Sequence, residues 1–441
     1  MSERHLHLGL FLLGTGSHIA GWRMPGAVTS FEDVPAVVAI AREAERALFD
    51  LIFIGDNLNA DPTAHPSYTS RLEPITLLSA VAMTTSHIGL GATASTTYGD
   101  PWSLARAFAS LDHISGGRAA WNSVTTSNPQ AAANFGKIHP DHARRYEMSA
   151  EFIEVAKALW DAWAPDAVVR DHATGAYFDP AKIRPIDHDG TFFKVKGPLN
   201  ITRAPQGRPV ILQAGGSEAG QELAARHADV VFTVTQDQGE AIAFYRGLKA
   251  RLPKHGRTEA DLKILPGVMP VVAETEAEAR DKLDTLMGFV GARDALGILG
   301  ERFNHDFSGD DIDGPIPESL GENDAYHAFA SAMLGKARRE NMRLKDLANL
   351  VAAARGHWVL CGSADQVADT LVDWFESGAA DGFNVMPPWF MEGFTDFTRL
   401  VVPRLQDRGL FRTAYEGTTL RQSLGLQVPP VGGSVETLAG A

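Results

Sequence analysis

The chain has 441 residues, 44% of them hydrophobic and 21% charged, the make-up of an ordinary globular protein with ample core. Forty basic against 54 acidic residues leave a formal charge of −14, which argues against a nucleic-acid footprint or a surface for anionic membranes. A single cysteine, Cys361, excludes an internal disulfide framework, and no uncharged apolar run reaches the roughly 18 residues of a membrane-spanning helix.

The opening HLHLGLFLLG (His5–Gly14) has no strongly basic start and no small-residue cleavage site after it. Alternating His and Leu read instead as a first strand, and a cytoplasmic protein is expected. From there, short apolar runs alternate with helical patterns, as in a parallel α/β fold. The expected strands are Leu6–Leu13, Leu51–Gly55, Ile88–Ala94, Ala119–Val124, Val210–Ala214, Val230–Val234, Ile264–Val272 and Gly382–Met386. Helical patterns fall at Val34–Leu48, Pro74–Thr84, Ser103–Ile114, His142–Trp163, Ser217–His227, Gly239–Leu252 and Ala364–Glu376. Eight such strands point to a closed TIM-like (β/α)8 barrel more than to an open sheet.

Two intervals are too long for plain loops. One, about 165–209, follows the fourth helix and is expected to carry a hairpin at Thr191–Lys196. The other, about 276–357, is helix-rich, lies between the seventh and eighth strands, and has a polar, mobile-looking centre at Gly309–Asn323. The expected organisation is one barrel domain over 1–415 and a tail, 416–441, that is loose or wraps a neighbouring subunit.

In such barrels the chemistry gathers where strands end and loops begin. Polar residues at those points are Asp56 and Asn57, Thr93, Ser95 and Thr96, Asn122 and Thr125, and Gln213 to Ser217. The most informative stretch is QAGGSEAG (Gln213–Gly220), a buried strand running through a glycine turn into a helix that opens at Ser217. The first turn of a helix has unpaired N–H groups and partial positive charge, which suit a phosphate. Gly215 and Gly216 would let backbone approach an anion, and Ser217 could cap the helix or donate to a phosphate oxygen. The same chemistry also closes many strand–helix junctions that hold no ligand.

His142 and Tyr146 are four apart and share one helix face, toward a ligand or simply packed at the rim. Asp56 reads as a buried carboxylate that faces a ligand or caps its own turn. His139, Asp141 and His142 lack the third and fourth partners of a metal site, and none is expected. Arg106, Asp112 and Arg118 are expected to form helix-end and barrel-base ion pairs. Phe11, Trp22, Trp121 and Trp389 are candidates to line an apolar cavity or to be core, and Arg23 to meet an anionic substrate or sit on the surface.

Longer strings carry a resemblance. GWRMP (Gly21–Pro25), AERALFDLIFIGD (Ala44–Asp56), EPITLLSAVAMTTSHIGLGATASTTYGDP (Glu73–Pro101), ARAFASLDHISGGRAAWNSVTTS (Ala105–Ser127), HARRYEMSAEFIEVAKALWDAW (His142–Trp163) and GPLNITRAPQGRPVILQAGGSEAG (Gly197–Gly220) resemble the bacterial-luciferase-like flavin monooxygenases. Within them the chain is similar to the branch with nitrilotriacetate monooxygenase component A, dibenzothiophene-sulfone monooxygenase and long-chain alkane monooxygenase. GWRMP departs from the pattern, since relatives carry a basic or aromatic residue where Met24 stands.

The resemblance implies FMN, bound as FMNH2, with O2 as co-substrate, in a two-component system fed by a separate NAD(P)H:flavin reductase. It implies FMN contacts at Asp56, Thr93, Ser95, His142, Tyr146, Gly216 and Ser217, with His142 also catalytic in proton management, and a homodimer or homotetramer. It further implies a non-proline cis peptide near Gly91–Thr96, and the long second insertion is expected to provide a lid. The substrate, a small organic molecule, stays open. Two rival readings are an F420-dependent oxidoreductase on the same barrel and a non-catalytic flavin-binding protein.

Overall fold

The structure is a computed structural model that describes residues 4–60, 66–303, 305–318, 320, 327–354 and 356–430. Its strands, in chain order, are β1 (His7–Phe11), β2 (Leu51–Ile54), β3 (Gly89–Ser95), β4 (Ala119–Val124), β5 (His188–Asp189), β6 (Lys194–Val195), β7 (Val210–Gln213), β8 (Val230–Thr233), β9 (Lys263–Ala273), β10 (Trp358–Ser363) and β11 (Gly382–Val385). Parallel pairing runs β1–β2–β3–β4–β7–β8–β9–β11 and back to β1, closing a ring of eight. The barrel is therefore the expected TIM-like one, built from the eight expected strands.

The side chains alternate about the barrel wall, as strand geometry dictates. Phe11, Leu51, Phe53, Ala120, Leu212, Val230, Phe232, Leu265 and Met269 fill the inside. Leu8, Leu10, Ile52, Ile54, Leu90, Ala92 and Trp121 point outward, where helices such as Val34–Arg46, Pro101–Ser115 and His142–Asp161 cover them. Phe11 and Phe53 stack with ring centroids 5.0 Å apart, and Phe53 meets Phe232 at 4.7 Å. This aromatic row forms the inner wall toward the strands' C-terminal ends.

One strand was not expected. Val268–Ala273, the second half of the 11-residue β9, carries β10 as an additional parallel neighbour outside the ring. The first insertion supplies β5 and β6, a two-stranded antiparallel pair that begins slightly before the expected hairpin. The second supplies the helices Glu276–Gly288, Ala292–Phe303, His327–Arg339 and Leu344–Ala354. The last three make a core of their own that includes Leu299, Phe307, Met333, Leu347 and Val351, while Leu283 and Met287 of the first pack against the barrel's inner cluster. Gly309–Asn323 lies partly outside the described residues; its described part is tied down by Leu344 N to Gly314 O and Lys345 N to Ile312 O, at 3.1 and 2.9 Å.

The tail packs on this chain's own barrel. Leu420, Leu424 and Leu426 are buried in the inner cluster and floor the barrel at its base. Arg421 Nη2 meets Asp229 Oδ2 at 2.9 Å, and just before the tail Tyr415 donates to Phe49 O at 2.7 Å and Arg412 pairs with the buried Asp50. Its leucines recur too briefly to show a helical period in sequence, which is why it read as loose. Residues 431–441 lie outside the described part.

The expected base ion pairs take another form. Asp112 accepts from Ala119 N and from Gln206 Nε2, and Arg118 donates to the carbonyls of Ala82, Thr85, Ile88 and Ser115. Helix ends and strand starts leave polar backbone groups unpaired there, and these charges serve them in place of each other. Arg106 lies over the Trp102 ring at 5.6 Å. No described helix is long and apolar enough to cross a membrane.

Candidate functional site

The site is built at the mouth from the ends of β2, β3, β4 and β7 and the starts of two helices. After β7 the chain turns through Gly215 into the helix Glu218–His227, with Ser217 as N-cap. Ser217 Oγ accepts from Gly220 N at 3.1 Å, satisfying one of the helix's unpaired donors. The turn is tightly packed around its glycines. A Cβ on Gly220 would lie 3.1 Å from Gly215 Cα, and one on Gly215 would overlap the Gln213 amide nitrogen.

The helix His142–Asp161 is capped by Asp141, which accepts from Arg144 N at 2.9 Å. Its first two turns carry His142 and Tyr146 on one face, with ring centroids 4.8 Å apart. Tyr146 Oη stands 3.5 Å from Ser217 Oγ. The two sequence blocks that attracted attention separately thus converge, 71 positions apart in the chain, beside a tight glycine turn. His142 is exposed at the rim and Tyr146 half-buried.

Deeper in the mouth, Thr93 and Asn122 sit in register on β3 and β4. Thr93 Oγ1 donates to Ile54 O at 2.8 Å and accepts from Asn122 Nδ2 at 2.8 Å. Among the described residues, Asn122 Oδ1 and Gln213 Oε1 are buried acceptors with no hydrogen-bond partner. Buried acceptors of this kind are costly to leave unsatisfied. Ser95 Oγ accepts from Thr97 N, Tyr98 N and Thr126 Oγ1, so it holds its own loop.

Asp56 follows β2. Its Oδ1 accepts from Asn57 N at 2.8 Å, capping the turn. Burial pushes its carboxyl up, an effect opposed by the charge of Arg71. Burial in turn brings Arg71 down to about 10, and Arg71 Nη1 donates to Gly55 O at 2.7 Å. Sequence reading missed Arg71, because it reaches the site from a loop with no motif. Phe53 and Phe232 were missed too, though their alternation with outward neighbours on β2 and β8 was a usable signal.

The mouth is roofed. The loop after β1 folds against the loop after β11, with Ser17 N donating to Pro387 O and Val28 N to Phe390 O. Helix Glu276–Gly288 of the second insertion reaches this loop, placing Met287 Sδ 3.5 Å from His18 Nε2. Arg23 donates to Phe289 O at 2.7 Å and lies 4.7 Å over the Phe289 ring. Burial holds His18 down at about 4, so it is neutral near pH 7.

Among the aromatic candidates, Phe11 faces the barrel interior and Trp389 is buried, its Nε1 without an acceptor among the described residues. Trp121 does not line the mouth: strand alternation sends it outward, where Nε1 donates to Ala94 O and the ring packs on Phe108, Phe152 and Trp160. Trp22 is 43% exposed. The non-proline cis peptide lies at Phe390–Met391, not near Gly91–Thr96. His139 faces away from His142, with Nδ1 on Tyr98 Oη and Nε2 on Arg145.

The donor set fits FMN: a glycine turn and two hydroxyls for a phosphate, apolar and small side chains for a ring, and unpaired acceptors for its N–H groups. Comparison with known proteins agrees. Residues 10–381 match the family model described as luciferase-like monooxygenase. The chain is 43% identical to N-acetyl-S-(2-succino)cysteine monooxygenase of Bacillus subtilis (strain 168), over 97% of this chain and 98% of that one. It is 44% identical to nitrilotriacetate monooxygenase component A of Aminobacter aminovorans, with the same coverage. A solved structure of riboflavin lyase with modified FMN and riboflavin superposes with a TM-score of 0.85 at 31% identity, covering 96% of each chain.

Proposed function

The chain belongs to the luciferase-like monooxygenase family and is a flavin-dependent monooxygenase; from that premise we propose how its mouth works. The reading is that a separate NAD(P)H-dependent reductase supplies FMNH2, and that O2 is the co-substrate for oxidation of a small organic molecule. Bound FMNH2 supplies the two electrons with which O2 is split between the substrate, which gains one oxygen atom, and water.

In this reading the Gly215–Ser217 turn, with Gly216, and the hydroxyls of Ser217 and Tyr146 hold the phosphate. Thr93 and Asn122 seat the ring, whose N–H groups meet the unpaired acceptors. Asp56 stays close to Arg71 at the ring's edge, and Ser95 acts by shaping the loop above β3. His142, exposed beside Tyr146, exchanges the proton that the reaction moves at the rim. The second insertion and the β1 loop keep water out, so that reduced flavin is not consumed uselessly.

The observation that carries this reading is the meeting of Tyr146 and Ser217 at a glycine turn on a barrel of this family. Oxygen uptake tests it. Protein mixed with FMNH2 and candidate amino-polycarboxylates or thioethers should consume O2 and release oxidised substrate. No substrate-dependent uptake with FMNH2, together with turnover on reduced F420 in the absence of O2, would contradict it.

A further inference from the structure

Among the described residues Met83 is the most exposed methionine, at 76%. It closes the helix Pro74–Ala82 shortly before β3 begins, which places it at the base of the barrel. At the opposite end stand Met386 and Met287. Met386 follows β11 on the inner wall, is 1% exposed, and closes over Gly267, where a Cβ would lie 3.1 Å from its Sδ. Met287, in the last turn of the helix Glu276–Gly288, is half-buried and packs against the inner cluster from the roof.

The surroundings of the Met287 sulfur suit an oxygen transfer. His18 Nδ1 accepts from Ala20 N at 3.1 Å, so the neutral ring carries its hydrogen on Nε2. That N–H faces Met287 Sδ at 3.5 Å. A thioether is a weak acceptor, whereas the oxygen of a sulfoxide is polar and a good one. Oxidation would therefore set a stronger acceptor before the same donor, in a roof that joins the second insertion to the β1 loop.

We propose that Met287 is a modification site: when reduced flavin and O2 meet at the mouth without substrate, the hydrogen peroxide formed there converts Met287 to its sulfoxide ahead of methionines far more open to solvent. The inference rests on the FMN and O2 reading above. FMNH2 and O2 give FMN and H2O2. The sulfur lone pair attacks one peroxide oxygen and the O–O bond breaks. The departing hydroxide takes the proton from the new S–OH group and leaves as water. Sulfur gives up two electrons and the peroxide accepts them. An oxidant released beside Met287 meets it at a local concentration that bulk solution does not match.

The test uses the wild-type protein, because Met83 and Met287 fall in separate tryptic peptides that hold no other methionine. Protein is given repeated additions of FMNH2 in air, without substrate and with catalase present to remove peroxide from bulk solution. Sulfoxide is read by peptide mass spectrometry, and the FMN Kd is measured by fluorescence on the same preparation. Met287 should be oxidised at least about fivefold more than Met83. Flavin-free protein treated with H2O2 alone should show the reverse order, following exposure. If FMN binds but Met287 stays unmodified under catalase, or Met83 leads there, the inference is overturned and the cofactor reading stands. Met287 leading equally with H2O2 alone would show intrinsic reactivity and also overturn it. If FMN does not bind, the cofactor reading fails and this inference with it.

Discussion

Tyr146 Oη lies 3.5 Å from Ser217 Oγ, and this contact ties the start of one barrel helix to the cap of the next. A phosphate placed at the glycine turn would find both hydroxyls within reach. Ser217 caps its helix, and in the proposed reading it also meets the phosphate, so the two duties can be separated.

Ser217 can be split along that line. Ser217→Ala removes both duties and should cost about 1 kcal/mol of stability along with FMN affinity. Ser217→Gly restores the cap to within a few tenths of a kcal/mol. Thermal melts should recover in the glycine variant while the FMN Kd stays raised roughly fivefold or more. Recovery of both would show that the hydroxyl only caps.

Tyr146→Phe keeps the ring packed against His142 and removes the hydroxyl. Loss of one hydrogen bond to a charged ligand is worth about 1.5–3 kcal/mol, or roughly a tenfold to hundredfold rise in FMN Kd. The apo melting temperature should stay within about 2 °C of wild type, because the 3.5 Å contact is too long to contribute much to the fold. Fluorescence titration and a melt on the same sample check both statements.

Much of this site was legible in sequence. QAGGSEAG announced a strand, a glycine turn and a capped helix, and the structure has each of them. The eight barrel strands were legible because buried parallel strands are short apolar runs between helical patterns. Convergence was not legible, since nothing in local spacing brings Tyr146 to Ser217. Arg71 and the roof over His18 were invisible for the same reason. Trp358–Ser363 was assigned no element in sequence, because its partner is an overlong β9 and not a barrel neighbour.

The tail is a stability element. Truncation after Glu416 strips Leu420, Leu424 and Leu426 from the barrel floor and leaves Asp229 without Arg421. Burial of each leucine is worth about 1.5–3 kcal/mol, so the truncated chain should lose several kcal/mol or fail to fold. A melt that matches the full-length protein would show that these contacts are dispensable.

His18 predicts a pH dependence. Its folded pKa is lowered to about 4 from an ordinary 6.5, so between those values the unfolded chain binds more protons than the native one. Stability from this residue is present above about pH 6.5 and is lost as pH falls toward 4. Denaturant melts of His18→Gln against wild type at pH 7, 6 and 5 should show the gap narrowing in acid. A constant gap would contradict the buried, neutral state.

The most direct measurement is a crystal structure with FMN bound. The account predicts the phosphate against the Gly215–Ser217 turn, within hydrogen-bond distance of Ser217 Oγ and Tyr146 Oη, and the ring over Thr93 and Asn122. A phosphate seated elsewhere, at the loops after β9 or β11 for example, would contradict it.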